Sequence, residues 1–259
     1  MRIKETTGDR MGLITERGSA ADGYEAVPVP LASDEAAESG GVMLRRRSAL
    51  PTRRSVLCLH TRPDTFVPED LAGWYTERGF HFYVADLRPQ DGQRADRSRA
   101  GRFARLDAAC RCLREAEGHD MIILAADSAD AATAAQWCDE RREGGGGPDA
   151  LILSSPVFGR RLRRGLDIGC PVLVLSAADG QASGRPRSRR SKDRRAIKLG
   201  PHVTWLRLDA GLDGQTDGAG QAGHGGQAPG RNADRRQFFD EMGRWLGAYM
   251  YGGVRDQLL

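Results

Sequence analysis

The chain has 259 residues, 39 basic and 35 acidic side chains, and a formal net charge of only +4; that size fits one large α/β domain or two small ones, and so small a charge does not by itself point to nucleic acid. Hydrophobic residues make up 39%, and no apolar run approaches the ~20 residues of a membrane span. The cysteines Cys58, Cys110, Cys112, Cys138 and Cys170 form no CxxC pair, which argues against a disulfide scaffold or a zinc site and for a reduced, cytoplasmic setting.

Residues 1–23 read as a flexible lead-in with no apolar h-region, so no secretory signal is expected. YEAVPVPLA and GGVMLRRR are β-prone runs joined by an acidic turn and read as an antiparallel pair. Ser55–His60 is a continuous apolar run, as a strand buried on both faces should be. Pro68–Arg78 opens with proline and acids, carries Leu71, Trp74 and Tyr75 at helical spacing, and stops at Gly79. His81–Asp86 is a strand, and Phe103–Glu117 is a helix with Phe103, Leu106, Cys110 and Leu113 on one stripe. Met121–Ala126 is a strand, Ser128–Arg142 a helix, and Asp149–Ser154, Pro171–Ser176 and His202–Leu208 further strands. Ala233–Tyr251 closes the domain, and 252–259 read as a tail.

Strands alternating with helices predict a mostly parallel, doubly wound sheet of eight strands with helices on both faces, over a single domain at 24–251. Gly180–Lys198 and Gly211–Ala233 are poor in apolar side chains and read as mobile insertions. On such a sheet functional residues lie beyond the carboxyl ends of the strands. That places Asp86, Asp91, Asp127, Ser128, Asp130, Asp179, Asp209 and Asp213 near one edge. His81, His119 and His202 precede their strands and fall at the other edge. A hard cation such as Mg²⁺ could use the carboxylates, but no ligand spacing supports one; neither metal nor other cofactor is expected. Arg185–Lys198, with Arg160, Arg161, Arg163 and Arg164, could contact a polyanion, although it lacks interleaved aromatics for base stacking. ADSAD at 126–130 also suits a plain helix start, with Ser128 or Asp127 as N-cap and Asp130 complementing the helix dipole.

The order RSVLCLHTRPDT, ERGFHFYVADLRPQDG, ILAADSADAATAAQW, PDALILSSP, CPVLVLSAADG, HVTWLRLDAGLDG resembles the α/β-hydrolase superfamily over roughly residues 25–250. The nearest group is the serine aminopeptidase/lysophospholipase-like (monoacylglycerol lipase-like) hydrolases, of which this chain reads as a divergent member. The resemblance implies Ser128 as nucleophile in place of the serine of G-x-S-x-G, Asp179 as the triad acid, and the N–H groups of Thr61 and Ala129 as the oxyanion hole. Thr61 stands where the family has Gly, Ala126 and Asp130 replace both elbow glycines, and Leu212 stands at the base position of Gly211-Leu212-Asp213. The family's lid is reduced to Val157–Gly169, room for a short helix and little more. The expectation is therefore a hydrolase-like protein with weak or lost catalysis that acts by binding or interaction, with a small ester or lipid-like ligand. The alternative is an active esterase or lysophospholipase-like enzyme using Ser128, Asp179 and a migrated His224.

Overall fold

The structure, a computed structural model, describes residues 23–30, 41–59, 69–86, 98–141, 144, 146–158, 165–177, 199, 202–208 and 229–255. Among them run strands β1 Glu25–Val29, β2 Gly41–Arg46, β3 Arg54–Leu59, β4 His81–Ala85, β5 Met121–Asp127, β6 Ala150–Ser154, β7 Val172–Ala177 and β8 Val203–Leu208. The helices are α1 Glu69–Glu77, α2 Arg99–Arg111, α3 Ser128–Glu140 and α4 Pro229–Arg255. The eight strands form one sheet in the order β1-β2-β4-β3-β5-β6-β7-β8. This is the mostly parallel α/β sheet that the alternation of apolar runs predicts, with the antiparallel pair at its N-terminal side.

The chain divides into two compact units, Met1–Leu124 with Gly146–Pro148, and Ala125–Gly145 with Asp149–Leu259. In the first, β1 and β2 pair antiparallel with Glu25 opposite Arg45. β2 pairs antiparallel with β4, Arg45 opposite Tyr83, and β3 runs parallel to β4, Ser55 opposite His81. The core holds Val56, Leu57, Tyr75, Phe80, Phe82, Leu106 and Leu113, all at most 2% exposed. Burying each aliphatic or Phe side chain contributes roughly 1.5–3 kcal/mol. Tyr75 stacks on Phe82 and meets Trp74 edge-on, so the helix stripe read from Leu71, Trp74 and Tyr75 is the face of α1 packed toward β4. Gly79 ends α1 with φ +75, and a Cβ there would lie 3.0 Å from the Arg54 guanidinium. Both facts favour glycine.

α2 does not stay α-helical to Glu117. It passes into a π-helical turn at Cys112–Ala116, although Phe103, Leu106, Cys110 and Leu113 remain buried as the stripe requires.

In the second unit β6, β7 and β8 are parallel neighbours, Leu151 opposite Val172 and Val172 opposite Val203. Leu151, Leu153, Val172, Leu173, Val174 and Leu175 are completely buried, which is why these strands read as unbroken apolar runs. α3 buries Ala131, Ala134, Ala135 and Trp137; its alanine face lets the helix lie close to the strands. α4 is longer than Ala233–Tyr251 at both ends, running Pro229–Arg255. Proline is favoured in a first helical turn, where its missing N–H costs nothing, so Pro229 starts this helix rather than ending a loop, and the helix carries on through Gly252 and Gly253. The insertions thus lose Pro229–Ala233 and the tail loses Gly252–Arg255 to helix; the remainder of both stretches and residues 1–22 lie outside the described residues. In the reduced lid region, residues 156–158 and 165–168 are neither helix nor strand. Residues 159–164 lie outside the described residues.

Candidate functional site

β5 is apolar and buried through Ile122, Ile123 and Leu124, then shrinks to Ala125 and Ala126 and ends at the exposed Asp127. The next residue, Ser128, is already the first of α3. A strand that becomes a helix with no loop between must turn within one residue, and Ser128 does so with φ +51. For a residue with a Cβ, this left-handed backbone costs on the order of 1–3 kcal/mol and persists only where the surroundings hold it.

The hold comes from the loop after β6. The Val157 N–H donates to the Ser128 carbonyl at 3.0 Å, and the Ser155 N–H donates to the Leu175 carbonyl at 2.7 Å. Ser155 itself has φ +43. Two left-handed serines, on β5–α3 and after β6, are thus tied into one backbone arrangement that runs on to β7. Ser154-Ser155-Pro156 announces a turn, but nothing in those residues announces the bond to Ser128, and sequence reasoning missed both Ser155 and Val157.

The Ser128 hydroxyl donates to Asp127 Oδ2 at 2.7 Å. Asp127 holds the N-cap position with φ −115 and ψ 151, yet its side chain makes no capping hydrogen bond. The plain helix-cap reading therefore holds for position but not for the side-chain bond that would give a cap its stability. Ala129 follows in the first turn, where helix N–H groups lack intrahelical acceptors and can face an anion. Asp130 adds a carboxylate to the same turn. This arrangement offers a hydroxyl and an amide donor at one exposed corner, with two carboxylates beside them.

Of the residues expected in the site, Ser128 and Ala129 are brought together here. Thr61, Asp179, His224 and Leu212 lie outside the described residues, as do Asp91, Asp209, Asp213, Arg160, Arg161, Arg163, Arg164 and Arg185–Lys198. His81 opens β4, and His119 and His202 precede β5 and β8, the ends of the strands that the sequence assigns them. No helix among the described residues is long and apolar enough to cross a membrane.

No protein-family model matches the chain, and no curated protein matches it in sequence. Solved structures do match. An alpha-beta serine hydrolase homologue from Coxiella burnetii superposes with a TM-score of 0.52 at 16% identity, over 73% of this chain and 88% of that one. An a/b serine hydrolase without lid from Xanthomonas campestris gives 0.51 at 14%, over 72% and 85%. The chain has an α/β-hydrolase-like fold. At such identities the likeness is one of fold, and an α/β-hydrolase-like fold carries many chemistries.

Proposed function

We propose that this chain is a divergent member of the serine-hydrolase branch of its fold, with weak or lost catalysis, that works by binding a small ester or lipid-like ligand at the β5–α3 turn. The observation that carries the reading is the hydrogen bond from the Ser128 hydroxyl to Asp127 Oδ2, 2.7 Å long. A nucleophilic serine passes its proton to a base of near-neutral pKa. A carboxylate, with an ordinary pKa of about 4, is a poor acceptor for it. The charge of Asp127 and Asp130 beside the turn also opposes the oxyanion that Ala129 would stabilise. Leu212 at the base position agrees: in a triad enzyme, loss of the base costs on the order of 10⁶ in kcat. The reduced segment 157–169 points to a shallow, open site, as in the Xanthomonas campestris protein described as lacking a lid.

The test is a fluorophosphonate probe. The unaltered protein is expected to remain unlabelled, and Ser128→Ala to leave any measured activity unchanged. Leu212→His with Asp130→Gly and Thr61→Gly should be needed before labelling appears.

One observation favours a second reading, an active esterase or lysophospholipase-like enzyme. Ser128 keeps a strained, left-handed backbone, as the serine of a nucleophile elbow does, and a serine without a task gains nothing from that strain. In this reading Ser128 attacks, His224 is the base, Asp179 orients it, and the N–H groups of Thr61 and Ala129 bind the oxyanion. Stoichiometric labelling of Ser128, abolished by His224→Ala, would establish it over the first.

A further inference from the structure

A second group of polar side chains lies in the first unit, far from Ser128 in sequence and unconnected with the proposed function. Its centre is Tyr83, whose hydroxyl lies 3.0 Å from Glu117 Oε2 and 2.8 Å from His119 Nε2. Glu117 also binds the Arg45 guanidinium, which holds Glu25 on its other side. A tyrosine has one proton to give. Facing a carboxylate, it donates to Glu117 and accepts from His119 Nε2–H. That fixes the neutral tautomer of His119 and leaves Nδ1 as a bare lone pair. His119 is 5% exposed, and Nδ1 has no hydrogen-bond partner among the described residues.

The ring of His81 sits 5.3 Å from that of His119. Its Nδ1 accepts the Ser48 N–H at 3.1 Å, so neutral His81 carries its proton on Nε2. Ser48 begins the 48–53 stretch between β2 and β3, which closes over His81 and lines an open depression of about 820 Å³ with it. The same stretch touches His119's own segment, because Asp120 N–H donates to the Arg53 carbonyl at 2.8 Å.

The geometry points to an acid-released latch: protonation of His81 and His119 frees the Arg47–Arg53 loop from the strands beneath it. The atoms make the coupling direct. A proton on His81 Nδ1 turns the acceptor of the Ser48 N–H into a second donor, and the bond that seats the loop is lost. A proton on His119 Nδ1 creates a buried N–H with no acceptor, next to a second cationic ring.

The charges around the pair set the direction. Arg45 from β2, Arg47 and Arg53 from the loop, and Arg114 from the π-helical turn, bonded to the His119 carbonyl, surround the rings. Opposing them are Glu117 after that turn, Glu25 from β1 and Asp120, which pairs with Arg53 at 3.0 Å; Tyr83 from β4 and Cys112 stay protonated, both raised mainly by burial. Burial and the His81 ring push His119 down to about 4, against the pull of Glu117. Burial and Arg47 lower His81 as well. Both values are depressed in the closed form, so the closed form is favoured above the ordinary histidine pKa of 6.5 and loses that advantage as pH falls toward 4. His119 alone, taking 6.5 for the opened ring, weakens closure about 30-fold by pH 5.

Two measurements test this. A carbon-13 NMR titration of the unaltered protein should find the His119 ring near 4 and the His81 ring below 6.5; either ring at or above 6.5 overturns the latch. Amide exchange, corrected for intrinsic rates, should show residues 47–53 losing protection by about tenfold or more between pH 7.5 and 5.0 while Ala150–Ser154 keeps its own. Unchanged protection at 47–53, or equal loss at both places, overturns it too. The pair His81→Asn and His119→Gln, which keeps an acceptor for Ser48 and a donor for Tyr83 without titrating, should abolish the pH response. If that variant does not fold at pH 7.5, the titration of the unaltered protein decides alone.

Discussion

Ser128 spends its hydroxyl on a neighbour one residue away, whereas Tyr83 spends its own on groups 34 and 36 residues further along the chain. The first arrangement is exposed, sequence-local and built on a strained backbone. The second is buried or half-buried, assembled from four chain segments, and has relaxed geometry. The difference teaches what each region's polar groups are for. Side chains at the β5–α3 turn contribute little to holding the fold, and their positions are held against local preference. Side chains around Tyr83 hold strands together, and removing one leaves others unsatisfied in the interior.

The largest effect should come from Glu117→Ala. It strips a partner from both Arg45, whose side chain is only 12% exposed, and Tyr83. We expect a loss of about 2–4 kcal/mol in urea unfolding at pH 7.5. A loss below ~1 kcal/mol would mean that the exposed Glu25 suffices for Arg45, and that the two regions differ less than described.

Tyr83→Phe comes next. It removes the hydroxyl shared by Glu117 and His119 while keeping the ring, at about 1–2 kcal/mol. The same variant should raise the His119 pKa little, because burial is its first cause; a large rise by NMR would shift that cause to the tyrosine.

At the turn the sign reverses. Ser128→Gly removes the left-handed strain and should stabilise by roughly 0.5–1 kcal/mol, read as a higher melting temperature. A lower one would show that the turn gains more from the Ser128–Asp127 bond than it loses to its backbone. Smallest is Asp127→Asn, which keeps an acceptor at an exposed position and should stay within about 0.5 kcal/mol of the unaltered protein.

The contrast also explains what the sequence could reveal. Runs such as MIILAA and PVLVLS declare buried strands because burial on both faces leaves no polar alternation to obscure them. The β5–α3 corner is equally legible: strand, serine and helix lie in one short stretch, and the strain is implied by the missing loop. Tyr83, Glu117, His119 and Arg45 are each visible as residues but not as a group. Their meeting depends on Arg45 standing opposite Tyr83 in the β2–β4 register, and on the exact phase at which the chain leaves α2. His81 and Tyr83 do share one face of β4, two residues apart, which was the one local hint. The hold of Val157 on Ser128 is hidden for the same reason, since it links the ends of two strands.

The π-helical turn at Cys112–Ala116 has a consequence for how this chain tolerates length change. Such a turn carries one residue more than an α-helix over the same stretch. Deleting any one of its residues would restore regular α-helix and rotate everything after it by about 100° around the axis. Glu117 would swing away from Arg45, and His119 from Tyr83. Descendants of this sequence that keep the buried pair are therefore barred from single-residue deletions between Cys110 and Met121, while the same deletions in the glycine-rich stretch after α3 should pass unnoticed.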